Sequence, residues 1–121
     1  MQYLIDSNII IYYLNGDEKI YTFLENTIEK SAISIINYYE VLNYQFSPEE
    51  EQIVKQFLER FTLLPLSKEI IGQALLNRKI KKIKMADNFI LSTAQKFNLK
   101  IVTRNTKDFD AFTVDTFNPL V

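Results

Sequence analysis

An α/β architecture is what this sequence predicts: a single parallel β-sheet flanked by helices on both faces, in three layers. Three observations support it. Tyr3-Leu4-Ile5, Ala32-Ile33-Ser34-Ile35 and Leu99-Lys100-Ile101-Val102-Thr103 are short runs rich in branched apolar residues, as strands buried on both faces require. Segments with apolar residues at helical spacing separate these runs. The chain has 121 residues, of which 47 % are hydrophobic, and only two glycines and three prolines, which suits one well-packed core and argues against disorder. No repeat or linker is visible, so residues 1–121 are expected to form one domain.

Each element follows from local chemistry. The first strand is expected over Gln2–Asp6, followed by the capping pair Ser7 and Asn8 and a helix over Ile9–Leu14. Asn15-Gly16-Asp17 signals a turn, and Asp17 suits the cap of a helix whose Ile20, Phe23, Leu24, Thr27 and Ile28 share a face. A strand over Ala32–Ile35 and a helix over Asn37–Phe46 come next. In Ser47-Pro48-Glu49-Glu50 a serine cap, a proline at the first helical position and acids in the first turn start a helix. It should run to Arg60 with Ile53, Val54, Phe57 and Leu58 inward. Thr62–Leu66 reads as a third strand that Pro65 pushes to the sheet edge. Ser67 and Glu69 open a helix through Ile70, Ile71, Ala74 and Leu75 to Lys81. Another helix spans Ala86–Phe97, with Phe89, Ile90, Leu91 and Ala94 inward. The fourth strand covers Leu99–Thr103 and a fifth lies within Phe112–Phe117.

Composition narrows the chemistry. The absence of cysteine removes thiol nucleophiles, disulfides and Cys-based metal sites, and the absence of histidine removes imidazole bases and the usual zinc motifs. Any catalysis must rest on carboxylates, lysines, tyrosines or water, and oxygen ligands favour hard cations such as Mg²⁺ or Mn²⁺. No apolar stretch approaches the roughly 20 residues of a membrane span. With Asp6 interrupting the first apolar run, a soluble cytoplasmic protein is expected. The net charge of −1 conceals an asymmetry: residues 1–60 carry ten acids and four bases, residues 61–121 five acids and ten bases. An anionic partner is sought on the second half.

Three acids lie in apolar settings: Asp6 after the first strand, Glu40 in the helix after the second, and Asp87 at the head of the last long helix. Each alone has an ordinary explanation, Asp6 and Asp87 as helix caps and Glu40 as a solvated helix position. Jointly they can converge on the carboxyl edge of a right-handed parallel sheet, where such folds place their chemistry. Carboxylates so gathered repel one another unless a cation lies among them. From Arg78 to Lys84 five of seven residues are basic. That stretch is either a solvated helix end or a phosphate-binding rim.

Four blocks, in this order, resemble the PIN-domain family, and more narrowly the VapC-type toxins of bacterial toxin–antitoxin pairs. They are "YLIDSNIIIYYL", "AISIINYYEVLNY", "KMADNFILSTAQKFNLKIVTRNTKDF" and "NPLV". The resemblance implies that Asp6, Glu40 and Asp87 coordinate Mg²⁺ or Mn²⁺, and that Asn8, Thr103, Asn105 and Asp108 belong to the pocket. It also implies that Lys82, Lys84 and Arg104, with Lys79 and Lys81, lie along RNA. One position departs from the family pattern: Asn105 stands where many members carry an aspartate, and Asp108 is the nearby acid that could substitute. A metal-dependent endoribonuclease, neutralised by a cognate antitoxin and forming a homodimer, is the function so implied. The tyrosines Tyr12, Tyr13, Tyr38, Tyr39 and Tyr44 read either as core and boundary packing or as a groove for such partners. Two other classes stay open. One is a phosphatase or phosphotransfer domain using Asp6 as nucleophile, although Asn8 stands where its second aspartate belongs. The other is a catalytically silent PIN module that binds RNA or protein.

Overall fold

The computed structural model describes residues 1–121. In chain order its elements are β1 Tyr3–Ile5, α1 Ser7–Leu14, α2 Glu18–Thr27, β2 Ser31–Ser34, α3 Ile35–Leu42, α4 Pro48–Leu58, β3 Thr62–Leu64, α5 Lys68–Ile80, α6 Met85–Phe97, β4 Lys100–Val102 and β5 Thr116–Phe117. Short 3₁₀ turns cover Ile28–Lys30 and Thr106–Phe109. The strands form one sheet in the order β3-β2-β1-β4-β5, parallel throughout.

The chain leaves β1 towards β2 and β3 on one side, then returns past β1 to β4 on the other. The junction of β1 and β4 is therefore the switch point of the sheet, and clefts in parallel sheets open at the carboxyl ends of such strands. Alternation along each strand feeds two cores. Ile5, Ile33 and Val102 pack with Ile9, Ile20, Leu24, Val54, Phe57 and Leu58 on one face. Leu4, Ala32 and Ile101 pack with Ile90, Leu91, Ala94 and Phe109 on the other. Helix α3 touches both, through Val41 and Ile36 respectively.

The caps act largely as the sequence predicts. Asp17, Ser47 and Ser67 each accept a backbone N–H in the first turn of their helix, and Pro48 occupies the first turn of α4. Several helical details differ from or add to that reading. Helix α1 starts at Ser7 with Asp6 as its cap, so the expected capping pair Ser7 and Asn8 lies inside the helix, and α3 starts at Ile35 rather than Asn37. Ile53 is 65 % exposed, because Val54, Phe57, Leu58 and Phe61 already complete the buried stripe of α4 at helical spacing. Leu75 is 46 % exposed and Ile71 only half-buried, since the inner face of α5 is Ile70, Ala74 and Asn77. Helix α3 ends at Leu42 rather than Phe46. The fifth strand shrinks to two residues, because Phe112 belongs to the core after the 3₁₀ turn and does not pair.

Ser34 starts the helix that carries Glu40. Its hydroxyl accepts the Ile36 N–H at 3.0 Å, while its own N–H donates to Asn37 Oδ1 at 2.9 Å. Replacing this buried cap, Ser34→Ala, is expected to lower unfolding free energy by about 1–2 kcal/mol in urea titrations, because the half-buried Ile36 N–H loses its acceptor. An unchanged midpoint would contradict the capping role.

Candidate metal centre

Asp6 follows β1 directly, and its carboxylate does two jobs. One oxygen caps α1 by accepting the Ser7 N–H at 2.8 Å; the other accepts the Thr103 hydroxyl at 2.8 Å and Asn8 Nδ2 at 3.3 Å. Thr103 sits at the end of β4, so this bond ties the two strands of the switch point together. Asp6 is nonetheless nine-tenths withdrawn from solvent, with no cation bonded to it. Burial pushes its pKa from 3.8 up to about 6, against the pull of its hydrogen bonds and helped by the nearby charges of Asp87 and Glu40.

Asp87 lies in the first turn of α6 but makes no capping bond, and the Lys84 cap position contributes none either. Its pKa is also raised, first by burial, then by the charges of Asp108 and Glu40; Lys84 opposes the rise. Glu40, half-buried on α3, accepts the Ser7 hydroxyl at 2.8 Å. The structure thus brings Asp6, Glu40, Asp87 and Asp108, from four separate segments, to one cleft of about 850 Å³ at the carboxyl edge of the sheet. Lys84 and Arg104 are the basic side chains lining it.

Other predicted residues divide. Asn8 and Asn105 line the cleft, whereas Thr103 is fully buried beneath Asp6 and meets the cleft through its hydrogen bonds to Asp6, Asn8 and the Asn105 N–H. Lys79, Lys81 and Lys82 lie outside the lining, exposed to solvent. Tyr12, Tyr39 and Tyr44 line the cleft, Tyr39 and Tyr44 being largely exposed. Tyr13 instead packs away from it, stacked on Phe57 with ring centroids 4.2 Å apart. The Arg104 guanidinium donates to the Tyr12 hydroxyl at 2.6 Å and lies over its ring.

Several supports escaped the sequence reading. Asn37 and Ser7 form a hydrogen-bonded pair behind Glu40, and Asn8 accepts the Arg104 N–H at 3.1 Å, joining α1 to the loop after β4. Between α5 and α6, Asn77 donates to Asn88, Ser92 and Gln95, while Asn88 donates to the Ala74 carbonyl at 2.8 Å. This fixes the turn next to Asp87. The serine-to-asparagine spacing of Ser34 and Asn37 was the available signal for the first of these; buried amides in α5 leave no hydrophobic pattern to find.

The donor set suits a hard divalent cation, since the atoms it offers as ligands are carboxylate, amide and hydroxyl oxygens, and four acids face two bases. No three carboxylates are drawn together tightly enough to hold an ion as they stand. Asp6 and Glu40 are instead turned to protein donors, Thr103 and Ser7.

A family model described as the PIN domain matches residues 3–114. No curated protein matches the chain significantly. Among solved structures, a chain of the toxin–antitoxin complex from Klebsiella pneumoniae is similar with a TM-score of 0.87 and 32 % identity, over 98 % of both chains. A chain of FitAcB from Neisseria gonorrhoeae gives 0.84 and 25 %, over 98 % of this chain and 99 % of that one. A chain of VapBC2 from Rickettsia felis, bound to a DNA fragment from its promoter, gives 0.81 and 25 %, over 98 % of each.

Proposed function

This chain belongs to the PIN-domain family, and on that footing we propose that it is a divalent-cation-dependent endoribonuclease, the toxin of a VapC-like toxin–antitoxin pair. The observation that carries the reading is the convergence of four carboxylates on one cleft at the switch point, with Lys84 and Arg104 on its lining. Asp6, Asp87 and Glu40 would hold Mg²⁺ or Mn²⁺, with Asp108 as the fourth acid in place of Asn105. When bound, such a cation supplies Lewis-acid activation of water and neutralises charge developing on a phosphoryl group.

The remaining work falls to the chain itself. Thr103 and the Ser7 N–H fix Asp6 in one orientation, and the Asn88 network fixes the turn that presents Asp87. Lys84 and Arg104 supply sequence-independent attraction for phosphates, and the exposed rings of Tyr39 and Tyr44 offer faces on which unpaired bases stack. The tight Arg104–Tyr12 contact gives that cation a set position at the cleft mouth. A partner antitoxin and a homodimer are proposed with this function, the former on the strength of the toxin–antitoxin neighbours. No helix is long and apolar enough to cross a membrane.

The test is cleavage of a single-stranded RNA by the purified chain in Mg²⁺ or Mn²⁺. Cleavage is expected to stop on adding EDTA, to return with excess Mn²⁺, and to fall more than about 100-fold in Asp87→Asn, beyond the usual cost of losing an outer support of a metal site. Equal cleavage by Asp87→Asn would reject the site. Absence of both Mn²⁺ binding and cleavage would favour a silent binding module.

A further inference from the structure

Glu40 is held by a chain of donors that begins at the cap of its own helix. The Ser34 backbone N–H can only donate, and it reaches Asn37 Oδ1 at 2.9 Å. The Asn37 amide is thereby fixed with Nδ2 pointing away, where it donates to Ser7 Oγ at 3.0 Å. A hydroxyl that accepts there has one proton left, and the acceptor it meets is Glu40 Oε1 at 2.8 Å. Ser7 therefore serves two acids at once, Asp6 through its backbone N–H and Glu40 through its side chain. Asn37 is fully buried, and no buried side-chain polar atom in the protein lacks a partner, so the direction of these bonds is set by chemistry.

We propose that Asn37 and Ser7 are positioning residues that commit Glu40 Oε1 to the protein and leave Oε2 alone for the cleft, so that Glu40 serves a divalent cation through one oxygen. This rests on the nuclease reading above. A one-oxygen carboxylate suits Mg²⁺, which keeps several waters and takes few protein ligands. The arrangement also explains why an asparagine stands three residues before Glu40. It is the side chain that can accept from the Ser34 N–H and donate to the serine hydroxyl at the same time.

The test is Ser7→Ala, which keeps the backbone N–H to Asp6 and removes only the hydroxyl. Its Mn²⁺ dissociation constant, read by electron paramagnetic resonance, is expected to rise about 10- to 100-fold, and kcat/KM on RNA to fall by a similar factor. Ser7→Thr should retain both values. Asn37→Ala should weaken both in the parent but add nothing on top of Ser7→Ala, because the two residues act through one bond. Thermal melts of each variant report folding separately. A Ser7→Ala variant equal to a parent that binds and cleaves overturns the pair alone. Asn37→Ala effects that add fully to those of Ser7→Ala overturn it too, by assigning Asn37 a purely structural role. A parent that binds no Mn²⁺ overturns the nuclease reading and this pair with it.

Discussion

Asp6→Asn is expected to reduce RNA cleavage more than about 100-fold while leaving a folded protein, a combination that a mere helix cap does not produce. Asparagine is as good a cap as aspartate, so the bond from the Ser7 N–H survives the change. What disappears is a negative charge facing Asp87 and Glu40, together with an acceptor for the Thr103 hydroxyl. Losing that acceptor costs about 1 kcal/mol. Removing a buried charge with two like-charged neighbours offsets it above pH 7, where the parent carboxylate is ionised. Activity and stability therefore part company in this variant. Cleavage at the parent rate would show that Asp6 only starts α1, and loss of cleavage accompanied by unfolding would assign its carboxylate a structural role through the bond to Thr103.

The same residue shows how far a sequence can be read. The sheet was legible because its strands are short runs without polar alternation, and the helix starts because serine and aspartate caps are local chemistry. The meeting of Asp6 with Asp87 was legible through topology: both positions abut strands or helices that a parallel sheet must bring to one edge. Thr103 was placed in the pocket, yet it lies under it, because the sequence does not reveal which way a strand-end side chain turns. The inner face of α5 is hidden in the sequence for a different reason. A stripe formed by Ile70, Ala74 and Asn77 contains a buried amide, and a search for apolar periodicity prefers Ile71 and Leu75 instead. The basic run is open to either reading in the sequence. Five cations in seven residues look like one rim, but a helix end and a loop spread them, and only Lys84 of them lines the cleft. Polar supports such as Asn37 and Asn77 act through hydrogen bonds to residues 30 and 11–18 positions away. No local pattern encodes those distances.

The electrostatics of Asp6 make a second large effect measurable without any RNA. Its folded-state pKa of about 6 lies above the 3.8 of an ordinary aspartate, so between these values the native state holds a proton that the unfolded state has released. Stability from this group is accordingly full below pH 4 and is lost as pH rises through about 6. A shift of this size corresponds to about 3 kcal/mol. Asp87, raised in the same direction, adds to the slope. Ion-paired carboxylates such as Glu25 and Glu69, lowered first by their hydrogen bonds to Arg60 and Lys96, act in the opposite sense and lose their contribution as pH falls. The difference between parent and Asp6→Asn cancels those background groups. Measured by urea unfolding from pH 4 to pH 8, that difference is expected to move by up to about 3 kcal/mol in favour of the variant, with its midpoint between pH 4 and 6. Mn²⁺ should reverse the trend in the parent. A cation binds the ionised carboxylate, so saturating Mn²⁺ is expected to raise the melting temperature at pH 7.5, to have little effect at pH 4.5, and to do nothing for Asp6→Asn at either. Equal stabilisation of parent and variant would place the ion elsewhere on the protein. A flat difference across the pH range would mean that Asp6 ionises in the fold as readily as in water, and the cleft would then lack the uncompensated charge that calls for a cation.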